Sequence, residues 1–92
     1  MIKSFRHKGL KDYYETGCKR KICAAHANKL QLLLFQLTNA IKPEDMNTPG
    51  NGFHNLSGNM NNFYAVKINA NWRLIFQFEG KNAILVDYID YH

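Results

Sequence analysis

Arg73 stands in "NWRLIF", and Asp90, Tyr91 and His92 close the chain in "VDYIDYH". A guanidinium is a permanent cation whose fork of donors fits phosphate oxygens. An imidazole gives or takes a proton near neutral pH. With an acid and a phenol, these are the parts needed to cut RNA without a metal. One group accepts the proton of the ribose 2′-OH as it attacks the adjacent phosphorus. Another protonates the departing 5′ oxygen, and a cation bears the charge that builds on the phosphoryl oxygens. His54, in "FHNL", is a second imidazole. Singly, each residue has a plainer reading, since an arginine in a strand is more often a surface group and a polar terminus a solvated tail. His7 and His26 are read that way, as solvated histidines.

Bringing Arg73 to the chain end takes a scaffold, and the pattern supplies one. "KGLKDYYETG" carries Leu10, Tyr13 and Tyr14 at helical spacing, with Gly17 as a stop. A second helix is expected from about Ile22 to Asn39. Ala24, Ala27, Leu30, Leu34 and Leu37 form its apolar stripe, Leu33 and Phe35 widen it, and Pro43 ends it. "KPEDMNTPGNG" is a loop by composition. "MIKSF" and "FHNL" are short strand candidates. Two hairpins follow: "FYAVKI", "NAN", "WRLIFQF", "EGKN", "AILVDYI". The class is α+β, one domain with helices on one face of an antiparallel sheet.

Strand alternation then places side chains. With "NAN" as a three-residue loop, Ile68 pairs with Trp72, and Lys67 lies opposite Arg73. With "EGKN" as a four-residue loop, Phe78 pairs with Ala83 and Arg73 lies opposite Tyr88. One face then reads Tyr64, Val66, Ile68, Trp72, Leu74, Phe76, Phe78, Leu85 and Ile89, fit to receive the helices. Asp87 falls on it discordantly. The other face gathers Lys67, Arg73, Tyr88, Asp90 and His92. A bulge would invert part of this assignment.

The 92 residues carry 12 Lys and Arg against seven acids, which favours an anionic partner. Lys3, Arg6, Lys8, Lys11, Lys29 and the "CKRKI" turn (Lys19, Arg20, Lys21) form a basic set near Tyr13 and Tyr14, suited to a phosphate backbone. Cys18 and Cys23 have neither redox-pair nor zinc spacing and are expected as reduced thiols. No secretion signal opens the chain, and no apolar run nears a membrane span of about 20 residues. A cytoplasmic protein is expected.

The opening "MIKSFRHKGLK", the element "FHNLSGN", the segment "VKINANWRLIFQF" and the ending "VDYIDYH" together resemble the HigB toxins of the RelE/ParE superfamily, over the whole chain and in element order. The resemblance implies a bacterial type II toxin, a ribosome-dependent mRNA endonuclease needing no cofactor and no metal. It implies neutralisation by a HigA-type helix-turn-helix antitoxin, through which the toxin also reaches operator DNA. The implied fold is RelE-like, a twisted antiparallel sheet with two N-terminal helices packed on one face. Carried over residue by residue, His54, Arg73, Asp90, Tyr91 and His92 are the catalytic set. Arg73 takes the phosphate charge, and His54 and His92 are acid and base in either order. Asp90 orients a histidine or the arginine, and Tyr91 stacks on a base or donates to the phosphate. Ser57 stands where family members often have a lysine after "H-P-L", and Asn55 replaces the proline; Lys67 is the cation placed to compensate. Lys3, Arg6, Lys8, Lys19, Arg20, Lys21, Ser57 and Lys67 are the expected contacts to RNA and ribosome. The alternative is a toxin or binding module of the same fold that cuts nothing, a ParE-like gyrase inhibitor or a corepressor.

Overall fold

A computed structural model describes residues 1–90. Tyr91 and His92 lie outside the described residues. Helix α1 runs Lys8–Thr16. Its N-terminus is capped by His7, whose Nδ1 accepts the Leu10 N–H at 2.9 Å. So His7 is not merely solvated, as the sequence suggested, but satisfies an otherwise unpaired helix donor. Gly17 ends the helix in the left-handed region at φ 78°, where a side chain is disfavoured. Leu10 and Tyr13 face inward, and the Tyr13 hydroxyl donates to the Ala27 carbonyl at 2.7 Å, tying the two helices together.

The second helix starts later than its apolar pattern suggests. Cys23 is extended, a 3-10 turn covers Ala24–His26, and helix α2 runs Ala27–Asn39. Ala27, Leu30, Leu33, Leu34 and Leu37 are buried, as read from the spacing. Ala24 and Phe35 are not. Phe35 is 68 % exposed, because it lies about 100° around the helix from Leu34 and so leaves the stripe. Pro43 does not terminate α2, which has already ended at Asn39; it opens a second 3-10 turn, Pro43–Met46.

The described residues form a sheet in the order β1 (His54–Asn55), β2 (Tyr64–Lys67), β3 (Trp72–Glu79), β4 (Asn82–Asp90), each antiparallel to its neighbour. The β2–β3 register is the expected one, with Lys67 opposite Arg73 and Val66 opposite Leu74. At the β3–β4 turn Phe78 pairs with Ala83 as expected, but pairing continues to Glu79 and Asn82. The loop is therefore the two residues Gly80 and Lys81, with Gly80 at φ 63° supplying the positive angle that tight hairpins require.

Further along, the register slips. Gln77 pairs with Ile84, yet Ile75 pairs with Asp87, so Leu85 and Val86 together oppose Phe76. Leu85 is the bulged residue, at φ 53°. A left-handed leucine costs roughly 1–2 kcal/mol, offset here by the N-terminal segment. The Leu85 N–H donates to Ser4 Oγ at 2.8 Å. The segment's backbone runs parallel to β4, joined at Ile2–Ala83 and Phe5–Val86. "MIKSF" is thus bridged to the sheet edge rather than forming a continuous strand.

The bulge inverts the far half of β4. Tyr88 now pairs with Leu74 and is 5 % exposed in the helix-facing core. Asp87 and Ile89 move to the opposite face, which removes the discordant acid from the core. Among the described residues two clusters result. The larger joins Leu10, Leu30, Leu33, Leu34 and Leu37 of the helices to Val66, Leu74, Phe76 and Tyr88 of the sheet. The smaller, on the other face, consists of Leu56, Phe63, Ala65 and Ile75 with Met60, Leu85 and Ile89 against them, and the helices contribute nothing to it.

Burial pushes the Tyr88 phenol above its ordinary pKa; a backbone hydrogen bond from Cys23 opposes this more weakly. Below about pH 10 folded and unfolded chains both hold the proton. Above it the unfolded chain ionises first, so stability falls until folded Tyr88 itself ionises. Thermal midpoints measured across this alkaline range are expected to fall less steeply in Tyr88→Phe than in the parent.

Candidate active site

The face without helices gathers three of the candidate residues. His54 pairs with Ala65 and Lys67 with Arg73, while Ala65 pairs with Ile75. Directly opposed residues share a face, so His54, Lys67 and Arg73 stand on one side of the sheet, at the rim of the small apolar cluster. The loop before β1 is held by Asn51, whose carbonyl accepts the Lys67 N–H at 2.6 Å. The buried Asn51 amide donates to the Met46 carbonyl at 2.8 Å. These bonds fix the approach to His54. The exposed imidazole of His54 is oriented by Nδ1, 2.9 Å from the Gly52 carbonyl. A carbonyl only accepts, so Nδ1 bears a proton, and in the neutral ring Nε2 keeps the lone pair.

Arg73 is half-buried on β3. Its Nη1 donates to the carbonyls of Asn69 (2.8 Å), Ala70 (3.3 Å) and Trp72 (3.1 Å). Tethering one end of the fork to the β2–β3 turn sets the direction in which the guanidinium points. Asp90 does not share this face. The bulge puts it opposite Trp72, while Ile89 is the residue opposite Arg73. Asp90 thus reaches the right end of the sheet on the wrong side for the expected convergence, and Tyr88, expected beside Arg73, is in the core. Tyr91 and His92, the other two expected members, lie outside the described residues.

The predicted RNA contacts fall into separate places. Lys67 joins Arg73, and Ser57 follows β1 in an exposed loop. Arg6 lies near Asp87, with Nε 4.0 Å from a carboxylate oxygen, and its guanidinium sits 5.6 Å from the centre of the Phe63 ring. Lys3 is exposed in the N-terminal segment. Lys8, Arg20 and Lys21 line a pocket of about 230 Å³ with Gly9, Asp12 and Cys18, and Lys19 is exposed beside it. Cys18 and Cys23 are free thiols, as expected.

Sequence reasoning missed His26, which is 4 % exposed. Its Nδ1 hydrogen-bonds the Tyr88 hydroxyl, its Nε2 meets Asn69 Nδ2 at 2.6 Å, and its ring lies 5.4 Å from Trp72. A signal was present. His26 sits four residues before Leu30, one turn up the same buried stripe.

A four-stranded antiparallel sheet with two helices on one face is the fold of the RelE-like toxins. The chain superposes on one chain of the YoeB–YefM complex from Staphylococcus aureus with a TM-score of 0.65 at 16 % identity, covering 100 % of this chain and 98 % of that one. It superposes on YafQ from E. coli with a TM-score of 0.62 at 18 % identity, covering 96 % and 91 %. In sequence, residues 3–92 match the HigB-like toxins, described as the RelE-like toxin of the type II toxin–antitoxin system HigB, and the chain belongs to that family. It is 34 % identical to Endoribonuclease HigB of Proteus vulgaris over the full length of both. It is 29 % identical to Toxin HigB-1 of Vibrio cholerae, covering all of this chain and 98 % of that one.

Proposed function

We propose that this toxin is an endoribonuclease that cuts messenger RNA on the translating ribosome, and that a HigA-type antitoxin neutralises it. The observation that carries the reading is the alignment of His54, Lys67 and Arg73 on the sheet face that the helices leave open. The name of the Proteus relative supports the activity. His54 Nε2 takes the 2′-OH proton as that oxygen attacks phosphorus. Arg73 and Lys67 hold the charge on the phosphoryl oxygens, Lys67 supplying the cation that Ser57 does not. His92 gives a proton to the departing 5′ oxygen, Tyr91 contacts the base or phosphate, and Asp90 orients a neighbouring group. The P–O5′ bond breaks as the P–O2′ bond forms, leaving a 2′,3′-cyclic phosphate and a 5′-hydroxyl.

Primer extension on one message, translated and ribosome-free, tests the reading. Cuts confined to the translated message are expected. Equal cutting of both contradicts ribosome dependence, and growth arrest with intact message contradicts the nuclease itself.

Lys8, Lys19, Arg20 and Lys21 would contact ribosomal RNA away from the scissile bond. Neutralising Arg20 and Lys21 together is expected to flatten the salt dependence of ribosome binding. The log–log slope falls by roughly 0.7 to 0.9 for each phosphate that the protein no longer neutralises. A binding titration at several salt concentrations measures it.

A further inference from the structure

A link from the 3-10 turn before helix α2 to Arg73 passes through Asn69. Its side-chain oxygen accepts the N–H groups of Asn71 (3.0 Å) and Trp72 (2.9 Å). That assigns the amide: Oδ1 closes the turn, so Nδ2 must be the atom facing His26. Nδ2 only donates, and His26 Nε2, 2.6 Å away, must accept. A neutral His26 therefore carries its proton on Nδ1 and donates it to the Tyr88 hydroxyl. The carbonyl of the same Asn69 accepts from Arg73 Nη1 at 2.8 Å. The chain of bonds thus runs Tyr88, His26, Asn69, Arg73, from the buried core to the open face.

We infer that His26 is a positioning residue for Arg73: by accepting from Asn69 it locks the β2–β3 turn in the one amide orientation that both closes the turn and aims the guanidinium. This rests on the proposed role of Arg73 in cleavage. The physical basis is selectivity for an acceptor at one point. A donor or an apolar group facing Asn69 Nδ2 removes the part-buried hydrogen bond that fixes this exposed amide, and flipping the amide to recover it would break the two turn bonds. The turn would then sample other arrangements, and a reacting group displaced by about 1 Å can lose up to roughly 100-fold in rate.

Two measurements test the inference. The first reads the tautomer by nitrogen NMR of histidine-labelled protein and needs no activity. In neutral His26 the unprotonated nitrogen is expected to be Nε2. In Asn69→Asp, where a carboxylate oxygen replaces the donor, Nε2 is expected to become protonated. A protonated Nε2 in the parent protein, or no change in Asn69→Asp, overturns the assignment. The second compares His26→Gln, whose carbonyl can take the place of Nε2, with His26→Phe, which fills the space without an acceptor. His26→Phe is expected to lose about tenfold or more in kcat with little change in KM. Its Arg73 guanidinium resonances should shift, and His26→Gln should recover most of the rate. Equal loss in both variants, or a shared loss of thermal stability that accounts for the rate, shows packing alone and overturns the inference. Should Arg73→Ala itself cut normally, the catalytic reading fails, while the tautomer and the Arg73 resonances still report on the link.

Discussion

Replacing Arg73 by alanine is expected to lower the single-turnover rate of message cleavage by roughly 100- to 1,000-fold, the usual cost of removing a group that meets charge developing in a transition state. The chain should stay folded, because Arg73 is half-buried and its Nη1 bonds go to carbonyls of its own turn. Arg73→Lys is expected to recover only part of the rate. Lysine keeps the charge but loses the planar fork, and with it the ability to hold the turn while facing a phosphate. Lys67, directly across the ladder, is the reason for a residual activity in Arg73→Ala. Because Lys67 sustains the activity left in Arg73→Ala, changing both residues to alanine should cost more than the product of the single losses. Single-turnover kinetics on ribosome-bound message check each variant, with circular dichroism as the folding control.

The largest expected loss of stability follows Phe76→Ala. Phe76 is fully buried at the centre of the helix-facing core, stacked on Tyr64 at 6.1 Å and edge-on to Phe78 at 6.0 Å. Truncating a buried phenylalanine costs about 3–5 kcal/mol in lost transfer energy and residual cavity. A domain of this size is stable by only about 5–14 kcal/mol, so the variant forfeits a large share of its margin. Phe76 is also the single residue that faces the two-residue bulge. Losing it loosens the element that directs the far half of β4, so a rate loss should accompany the stability loss. Urea unfolding followed by fluorescence of Trp72 measures the first effect.

The two hairpins were legible because their turns set register. Three residues of "NAN" dictate the Lys67–Arg73 pair, and the Phe78–Ala83 pair survives even though its turn is shorter than read. The alternation of Val66, Leu74 and Phe76 marked the helix-facing side for the same reason. What escaped was decided by distant partners. Nothing local marks Leu85 as left-handed, since glycine or asparagine ordinarily fills such positions. Its N–H is satisfied by Ser4, at the other end of the chain. That one residue carries Asp90 to the face of Trp72 and Tyr88 into the core. It therefore separated the expected group of Arg73 and Asp90 while leaving Lys67 and Arg73 together. His26 was misread because a histidine among alanines and asparagines looks solvated. Its acceptor role depends on Asn69 and Tyr88, far along the chain.

The central claim is that the open face cuts RNA by attack of a ribose 2′-OH on its own phosphate. The direct measurement uses a ribosome-bound message carrying a single 2′-O-methyl group on the nucleotide 5′ to the cleaved bond. With its nucleophile blocked, that bond should survive many turnovers that sever the unmodified message, whose products should end in a 2′,3′-cyclic phosphate and a 5′-hydroxyl. Cleavage of the methylated bond at the unmodified rate would contradict the mechanism, because the attacking oxygen would then come from elsewhere.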